Sequence, residues 1–256
     1  MTAVDGIERI RVRIRFSKTG KIRWTSHRDV ARMWERAFRR TKLPLAYSAG
    51  FSPRPKVSFG LALPTGYESV AEYIDVELLG EVDVTTLPSR LSSALPDGVD
   101  ATAAQVVASN APSLQEEVRS CTWRWVVVPG EGLEPLVGDG VAEAVSGCLA
   151  ARELPVTRTR KGAPQIEDIR PSIVDLNLEG PAGPSYSDGF WLVGELACQP
   201  RSIRPSEVTL ALGRGLEERH PRRLNQWIWR DGVRTEPLVV GDLAGPIGAR
   251  HAEVRA

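Results

Sequence analysis

The chain has 256 residues, 42% of them hydrophobic and 25% charged, with a formal net charge of +1. That length allows one large domain or two small ones, with a core that needs no staples. No apolar run approaches the roughly 20 residues of a membrane-spanning helix. No apolar signal region marks the N-terminus, and Cys121, Cys148 and Cys198 are spaced too widely for a disulfide framework or for a zinc or iron–sulfur cluster. These features predict a cytoplasmic protein with buried, reduced thiols, no metal of its own and no membrane partner.

The small net charge hides a segregation. Residues 8–56 hold 15 Lys or Arg against 3 Asp or Glu, residues 57–150 hold 3 against 14, and the remainder is nearly balanced. Such a pattern points to a basic surface facing a polyanion, or to basic and acidic segments that neutralise each other across neighbouring elements.

In chain order, Ile10, Val12, Ile14 and Phe16 alternate with Arg11, Arg13 and Arg15. This is the period of a strand with one buried face and one arginine face. After a turn at Thr19-Gly20, Ile22 and Trp24 resume the alternation. Ser26 reads as a helix N-cap, with Asp29 at the third helical position. Val30, Trp34, Ala37, Phe38 and Thr41 then recur at helical spacing. The opposite face carries Arg28, Arg32, Arg36, Arg39 and Arg40, and Leu43-Pro44 ends this amphipathic helix. Residues 45–48 are a short strand candidate, and 50–55 break regular structure. Strands at 56–61 and 72–79, a helix at 84–95 and a strand at 99–107 follow. The order is the split βαβ pattern of a ferredoxin-like domain, over residues 8–108.

A turn-rich linker at 109–113 precedes a second, looser round. A strand at 121–128 and a small-residue helix at 141–151 come first. A hairpin of 155–160 and 165–178 follows, turning near Lys161-Gly162-Ala163. A strand at 190–197 and a helix from Arg204 to about Leu212, opening at a proline, complete the round. Residues 180–189 read as a flexible loop, 114–240 as the second domain and 241–256 as a loose tail. The expected fold is α+β: two tandem ferredoxin-like (split βαβ) halves with antiparallel sheets.

The chemistry-bearing residues concentrate in the basic segment. His27 sits just inside a helix start, among arginines. An imidazole beside a phosphate backbone can serve as a general base for attack by a 2′-hydroxyl, with Tyr47 and Lys56 assisting. The same histidine can instead hold the loop through a backbone hydrogen bond. In the GFSPRPK stretch, Gly50 permits positive φ and the prolines fix a rigid path. Ser52, Arg54 and Lys56 would project from it as phosphate donors, and Phe51 or Tyr47 could stack a base. Its plainer reading is a stiff connection with Phe51 buried. With Arg28, Arg32, Arg36, Arg39 and Arg40, these residues make up the candidate nucleic-acid-binding set. Glu68 and Glu72 read as strand-end surface charges or as partners of the arginines. Arg158, Arg160 and Lys161 form either a second phosphate-touching tip or a solvated one. Trp123, Trp125, Trp191, Trp227 and Trp229 fall mostly on alternating strand positions, as core residues do. No P-loop, dinucleotide fingerprint or HExxH motif is present.

Residues 10–79 resemble the radical SAM-associated (radical SAM-linked) protein family, a bacterial domain of unknown biochemical function found stand-alone or fused behind radical SAM enzymes. The resemblance rests on R-x-R-F at 13–16, S-H-R-D at 26–29, E-R-A-F-R-R at 35–40 and L-P-L-A-Y-S at 43–48. It continues through G-F-S-P-R-P-K at 50–56 and A-E-Y-I-D-V-E-L at 71–78, with weaker pieces at 161–162, 168–171 and 203–207. Many relatives carry histidine where this chain has Arg54. The resemblance implies a radical SAM enzyme as partner, with the iron–sulfur cluster and S-adenosylmethionine in that partner and no cofactor in this chain. The duplication also resembles the CRISPR repeat-cleaving endoribonucleases, at the level of fold alone. Three functions are therefore open: an accessory protein that binds RNA (tRNA or rRNA) for modification, a metal-independent endoribonuclease with His27 as general base, or a protein-docking module.

Overall fold

The computed structural model of the chain describes residues 8–238, except Leu136, Lys161 and the side chain of Arg160. The tail expected at 241–256 and the end of the second domain at 240 lie outside the described residues.

In chain order the elements are β1 (Arg9–Lys18), α1 (His27–Arg40), β2 (Val57–Phe59), β3 (Glu68–Leu79), α2 (Leu87–Ser92), β4 (Val99–Val107) and α3 (Leu114–Glu117). They continue with β5 (Ser120–Pro129), α4 (Gly138–Ala150), β6 (Pro155–Arg160), β7 (Ala163–Asp168), β8 (Ile173–Pro181), β9 (Phe190–Ala197), α5 (Pro205–Leu212), β10 (Leu216–Arg230) and β11 (Val233–Thr235). Among the described residues, nine strands form one sheet in the order β4-β1-β3-β10-β5-β9-β8, with β2 on β3 and β11 on β10. β6 and β7 form a separate hairpin. The large sheet is mostly antiparallel; its parallel register is the short β3–β10 pairing, Glu68 with Arg222 and Ser69 with Arg223.

Strand alternation places the two cores. Val12, Ile14 and Phe16 of β1 and Ile74, Val76 and Leu78 of β3 meet Val30, Trp34, Ala37 and Phe38 of α1 and Leu87 and Leu91 of α2. Truncating a side chain as buried as Trp34 costs about 3–5 kcal/mol. The second core joins Trp123 and Trp125 of β5 and Leu192 and Leu196 of β9 to Val141 and Val145 of α4 and Val208 and Leu212 of α5. The indole of Trp125 donates to Thr209 Oγ1 at 3.0 Å, so its buried N–H is satisfied.

Several expectations change. Residues 20–24 form a 3₁₀ turn rather than a resumed strand, which leaves Trp24 outside the core. Residues 45–48 make only isolated bridges, Leu45 with Leu78 and Tyr47 with Pro55. The long strand expected at 165–178 is two strands. Asp168 Oδ1 accepts from the backbone N–H of Leu154 and Arg170, and a 3₁₀ turn containing Pro171 then redirects the chain. The stretch expected as a flexible loop is a short connection closed by Ala182 N–H donating to the Gly189 carbonyl at 2.8 Å. Trp123 and Trp125 are core residues, but Trp229 is 57% exposed. The largest addition is β10. It lies between β3 and β5, so the two halves share one sheet instead of each closing its own.

Candidate nucleic-acid interface

The basic helix forms for local reasons. Ser26 Oγ accepts from the Asp29 N–H at 3.2 Å and donates to Asp29 Oδ2 at 2.7 Å, which satisfies an end of α1 that has no intrahelical partners. The apolar stripe buries Val30, Trp34, Ala37 and Phe38 and turns the other face to solvent. On that face Arg28, Arg32, Arg36, Arg39 and Arg40 are all exposed. Arg32 reaches Asp29 at 3.4 Å, an exposed pair of small energetic weight. Arg40 donates to the Ala94 carbonyl at 3.3 Å. Arg28, Arg36 and Arg39 make no ion pair among the described residues.

The GFSPRPK loop is pinched at its base. Ser48 N–H donates to the Arg54 carbonyl at 2.9 Å, and Arg54 N–H donates to Ser48 Oγ at 3.0 Å. Gly50, at φ 119°, makes the turn that this closure requires. Phe51 is fully exposed, so the reading with its ring buried does not hold; Tyr47, Ser52 and Arg54 are exposed too. Lys56 is engaged instead, its Nζ 3.0 Å from Glu77 Oε2.

Register decides which of these residues meet. Val57 pairs with Val76, Ser58 with Asp75 and Phe59 with Ile74. Phe59 therefore packs on the α1 side of the sheet, where the His27 ring stands edge-on to it at 5.0 Å. Lys56 lines a cleft on the other side with Arg11, Asp75 and Glu77. His27 and Lys56 are not brought together, and no side-chain hydrogen bond or ring contact joins Tyr47 to either among the described residues. Nor does His27 make a side-chain hydrogen bond there; it packs rather than anchoring the loop to the backbone. A general base needs a partner that orients it, and among the described residues no hydrogen bond orients His27.

The recess beside His27 is lined by Lys18 and Glu72, which the sequence did not single out for it. A register shift between Phe16 and Lys18 re-aims the lysine. Its Nζ donates to the carbonyls of Arg23 at 3.2 Å and Thr25 at 2.9 Å, tying down the turn that delivers Ser26. Burial lowers the Lys18 pKa and Glu72 opposes that shift. Glu72 itself pairs with buried Arg223 at 2.8 Å.

Much of the remaining basic segment is neutralised internally. Arg13 is fully buried, with its Nε 2.8 Å from Asp75 Oδ1, and Arg11 Nη2 is 2.6 Å from Asp75 Oδ2. Glu68 and Glu72 are buried and paired, not strand-end surface charges. Arg158 on the β6–β7 hairpin lies 3.6 Å from Glu167, while Lys161 and the Arg160 side chain lie outside the described residues. The outer face of α1 and the exposed tip of the GFSPRPK loop stay open among the described residues, as do exposed Lys21 and Lys42. Among the described residues, no group of three His, Cys, Asp or Glu side chains converges as metal ligands.

A family model described as an uncharacterized protein conserved in bacteria (DUF2344) matches residues 11–205, from within β1 to the first residue of α5. No curated protein matches the chain.

Proposed function

The chain belongs to this uncharacterized bacterial family, and from that premise we propose that it is an RNA-binding accessory protein that presents an RNA to a radical SAM enzyme for modification. The observation that carries the RNA reading is the face of α1. It holds five exposed arginines, four of them without an ion pair among the described residues, on a helix whose other side is anchored in the core. Arginine donors fixed on a rigid element suit phosphate oxygens, and they bind with the salt dependence of counterion release. The loop tip adds Ser52 and Arg54 as further donors and Phe51 and Tyr47 as rings for unstacked bases. The partnership with a radical SAM enzyme is supported by the sequence resemblance over residues 10–79, and it assigns the iron–sulfur cluster and S-adenosylmethionine to the partner.

The same proposal takes the two halves as ferredoxin-like repeats. Its support is strand order: β4-β1-β3-β2 in the first half and β10-β5-β9-β8 in the second, with β6–β7 inserted between α4 and β8. No contact among the described residues favours nuclease chemistry, since His27 and Lys56 lie on opposite sides of the sheet.

The test is binding of the purified protein to total RNA across a salt titration, beside the double variant Arg32→Glu, Arg36→Glu. Binding is expected to weaken steeply with salt and to vanish in the variant, whose melting temperature should stay that of the parent. A well-folded double variant that binds as before overturns the assignment of α1. RNA cleavage in EDTA by the parent protein would replace it with the nuclease reading.

A further inference from the structure

A second cationic cluster lies where the two halves of the sheet meet, on β10 and on the turn that leads into α1. Its origin is a bulge. Along the β10–β5 pairing, Arg219 faces Val126 and Arg222 faces Arg124, so β10 carries one extra residue. His220, at the bulge, has φ 51°, a left-handed conformation that costs a β-carbon residue energy and is concentrated at functional positions.

The bulge aims His220 and Arg222 at Glu68. Arg222 donates from Nε at 2.9 Å and from Nη2 at 2.5 Å to Glu68 Oε2. The Gly20 N–H donates to Oε1 at 2.8 Å, and Arg23 Nη1 lies 3.4 Å from the same oxygen. His220 Nε2 is 3.3 Å from Glu68 Oε2, and its Nδ1 is 3.4 Å from Arg23 Nη1. Both contacts are made by one neutral tautomer, in which Nε2–H donates to the carboxylate and Nδ1 accepts from Arg23. Burial of the imidazole lowers its pKa; Glu68 opposes this, and Arg222 and Arg23 reinforce it. For Glu68, burial alone would raise the carboxyl, but Arg222, the Gly20 N–H and His220 outweigh it and hold it below its ordinary value. The result is two guanidinium groups on one carboxylate, with the surplus positive charge on side chains that remain about a third exposed, 28% for Arg23 and 35% for Arg222.

Beside that surplus charge stands an exposed indole. Trp24 is 64% exposed, although a tryptophan is costly to leave in water. Gly66 and Arg23 hold it in place. A β-carbon at Gly66, which itself has φ 89°, would sit 2.9 Å from Trp24 Cζ3, and the Arg23 guanidinium lies 5.2 Å from the ring centroid. The Gly66 N–H also donates to the Arg23 carbonyl at 2.8 Å, which fixes the turn that carries both side chains.

We propose that Trp24, Arg23, His220 and Arg222 form a binding site for one nucleotide of single-stranded RNA, with the base stacked on Trp24 and its phosphate taken by the two arginines. This rests on the RNA reading above and extends it, because it gives the bound strand a second contact, on the turn that leads into α1 rather than on its arginine face, that recognises a base face rather than charge alone. A fixed aromatic ring beside surplus guanidinium charge is the arrangement that binds unpaired nucleotides without reading their sequence.

The test compares a fluorescent oligouridylate with inorganic polyphosphate, which offers charge without bases, as ligands for the parent protein, Trp24→Ala, Trp24→Phe and Arg23→Gln. Loss of one stacked base weakens binding about 5–150-fold. Trp24→Ala should lose affinity for oligouridylate in that range and keep its affinity for polyphosphate, while Trp24→Phe restores most of the loss. Arg23→Gln should make the salt dependence of oligouridylate binding shallower by about 0.7 in log–log slope, the share of one phosphate. Melting curves on all four proteins confirm folding. If Trp24→Ala binds oligouridylate as the parent does while the α1 double variant does not, this site is overturned and the RNA reading stands. If the parent binds no RNA, both are overturned.

Discussion

Strand β1 and helix α1 are separated by fewer than ten residues and are similarly rich in arginine, with Arg9, Arg11, Arg13 and Arg15 on one and Arg28, Arg32, Arg36, Arg39 and Arg40 on the other. Their fates are opposite. The strand alternates, so its arginines point to the sheet face away from α1. There Asp75 from β3 and Glu117 from α3 meet them, and Arg13 also donates to the Pro237 carbonyl at 3.2 Å. Burial works against the charge on Arg13, yet Asp75 and Glu117 more than restore it, and its pKa ends above the ordinary value. The helix instead buries one stripe and leaves its arginines to water. Identical side chains thus serve cohesion in one element and remain free to bind in the next, and the difference lies in which neighbours the backbone period supplies.

The contrast breaks most sharply at Asp75. Asp75→Asn takes the main counter-charge from Arg11 and Arg13, leaving Arg13 only the longer contact to Glu117 at 3.4 Å, and the expected loss is about 3–5 kcal/mol of unfolding free energy, read by denaturant titration. A loss below about 1 kcal/mol would show that the β1 arginines do not hold the sheet face together.

Glu218 sharpens the same comparison from the acidic side. It accepts from the Tyr67 hydroxyl at 2.9 Å and, unlike Glu68, has no paired guanidinium among the described residues. Burial is the main cause that pushes its pKa up to about 7 from 4.5, only partly offset by Tyr67 and Arg204; burial also raises the pKa of Tyr67. The native state therefore holds a proton that the unfolded chain has released, and stability falls as pH rises from about 4.5 through about 7. Glu218→Gln should remove that slope. The variant is expected to match the parent near pH 4 and to exceed it by about 2–3 kcal/mol near pH 8, and equal pH profiles for the two proteins would refute the shift.

Smaller effects separate the open surface from the paired one. Lys56 and Glu77 are each about one-third exposed, so Lys56→Ala should cost at most about 1 kcal/mol. Because Glu77 already holds that charge, RNA affinity should change less than in any single α1 arginine variant when both are measured at one salt concentration. Least of all, Arg32→Glu and Arg36→Glu should each change unfolding free energy by under about 0.5 kcal/mol, since neither side chain supports the fold. A large destabilisation would place α1's outer face among the structural contacts.

Local patterns reached the structure wherever one residue's preference was enough. The alternation of β1, the Ser26 cap, the apolar stripe of α1 and the strands at 99–107 and 190–197 all stand as read, because each follows from a period or a cap within a few neighbouring residues. β10 escaped notice for an equally physical reason. Its buried positions include Arg223 and Gln226, and Pro221 interrupts it, so beyond Trp227 and Trp229 no apolar alternation marks it as a strand. Arg223 is tolerated inside because Glu72 and the carbonyls of Leu61 and Ala62 accept from it, and Gln226 because it donates to the Ala71 carbonyl. Those partners lie more than 150 residues away in the chain.

The candidate site divides along the same line. The arginine face of α1 was legible, because helical spacing alone separates it from Val30, Trp34, Ala37 and Phe38. The exposure of Phe51 and Trp24, the Lys56–Glu77 pair and the gathering of Arg23, Arg222 and His220 around Glu68 were not. The sequence by itself determined where charge and apolar surface fall along each element. Tertiary structure alone decided which of those charges are cancelled, because cancellation depends on carboxylates that the sheet register brings across from distant strands.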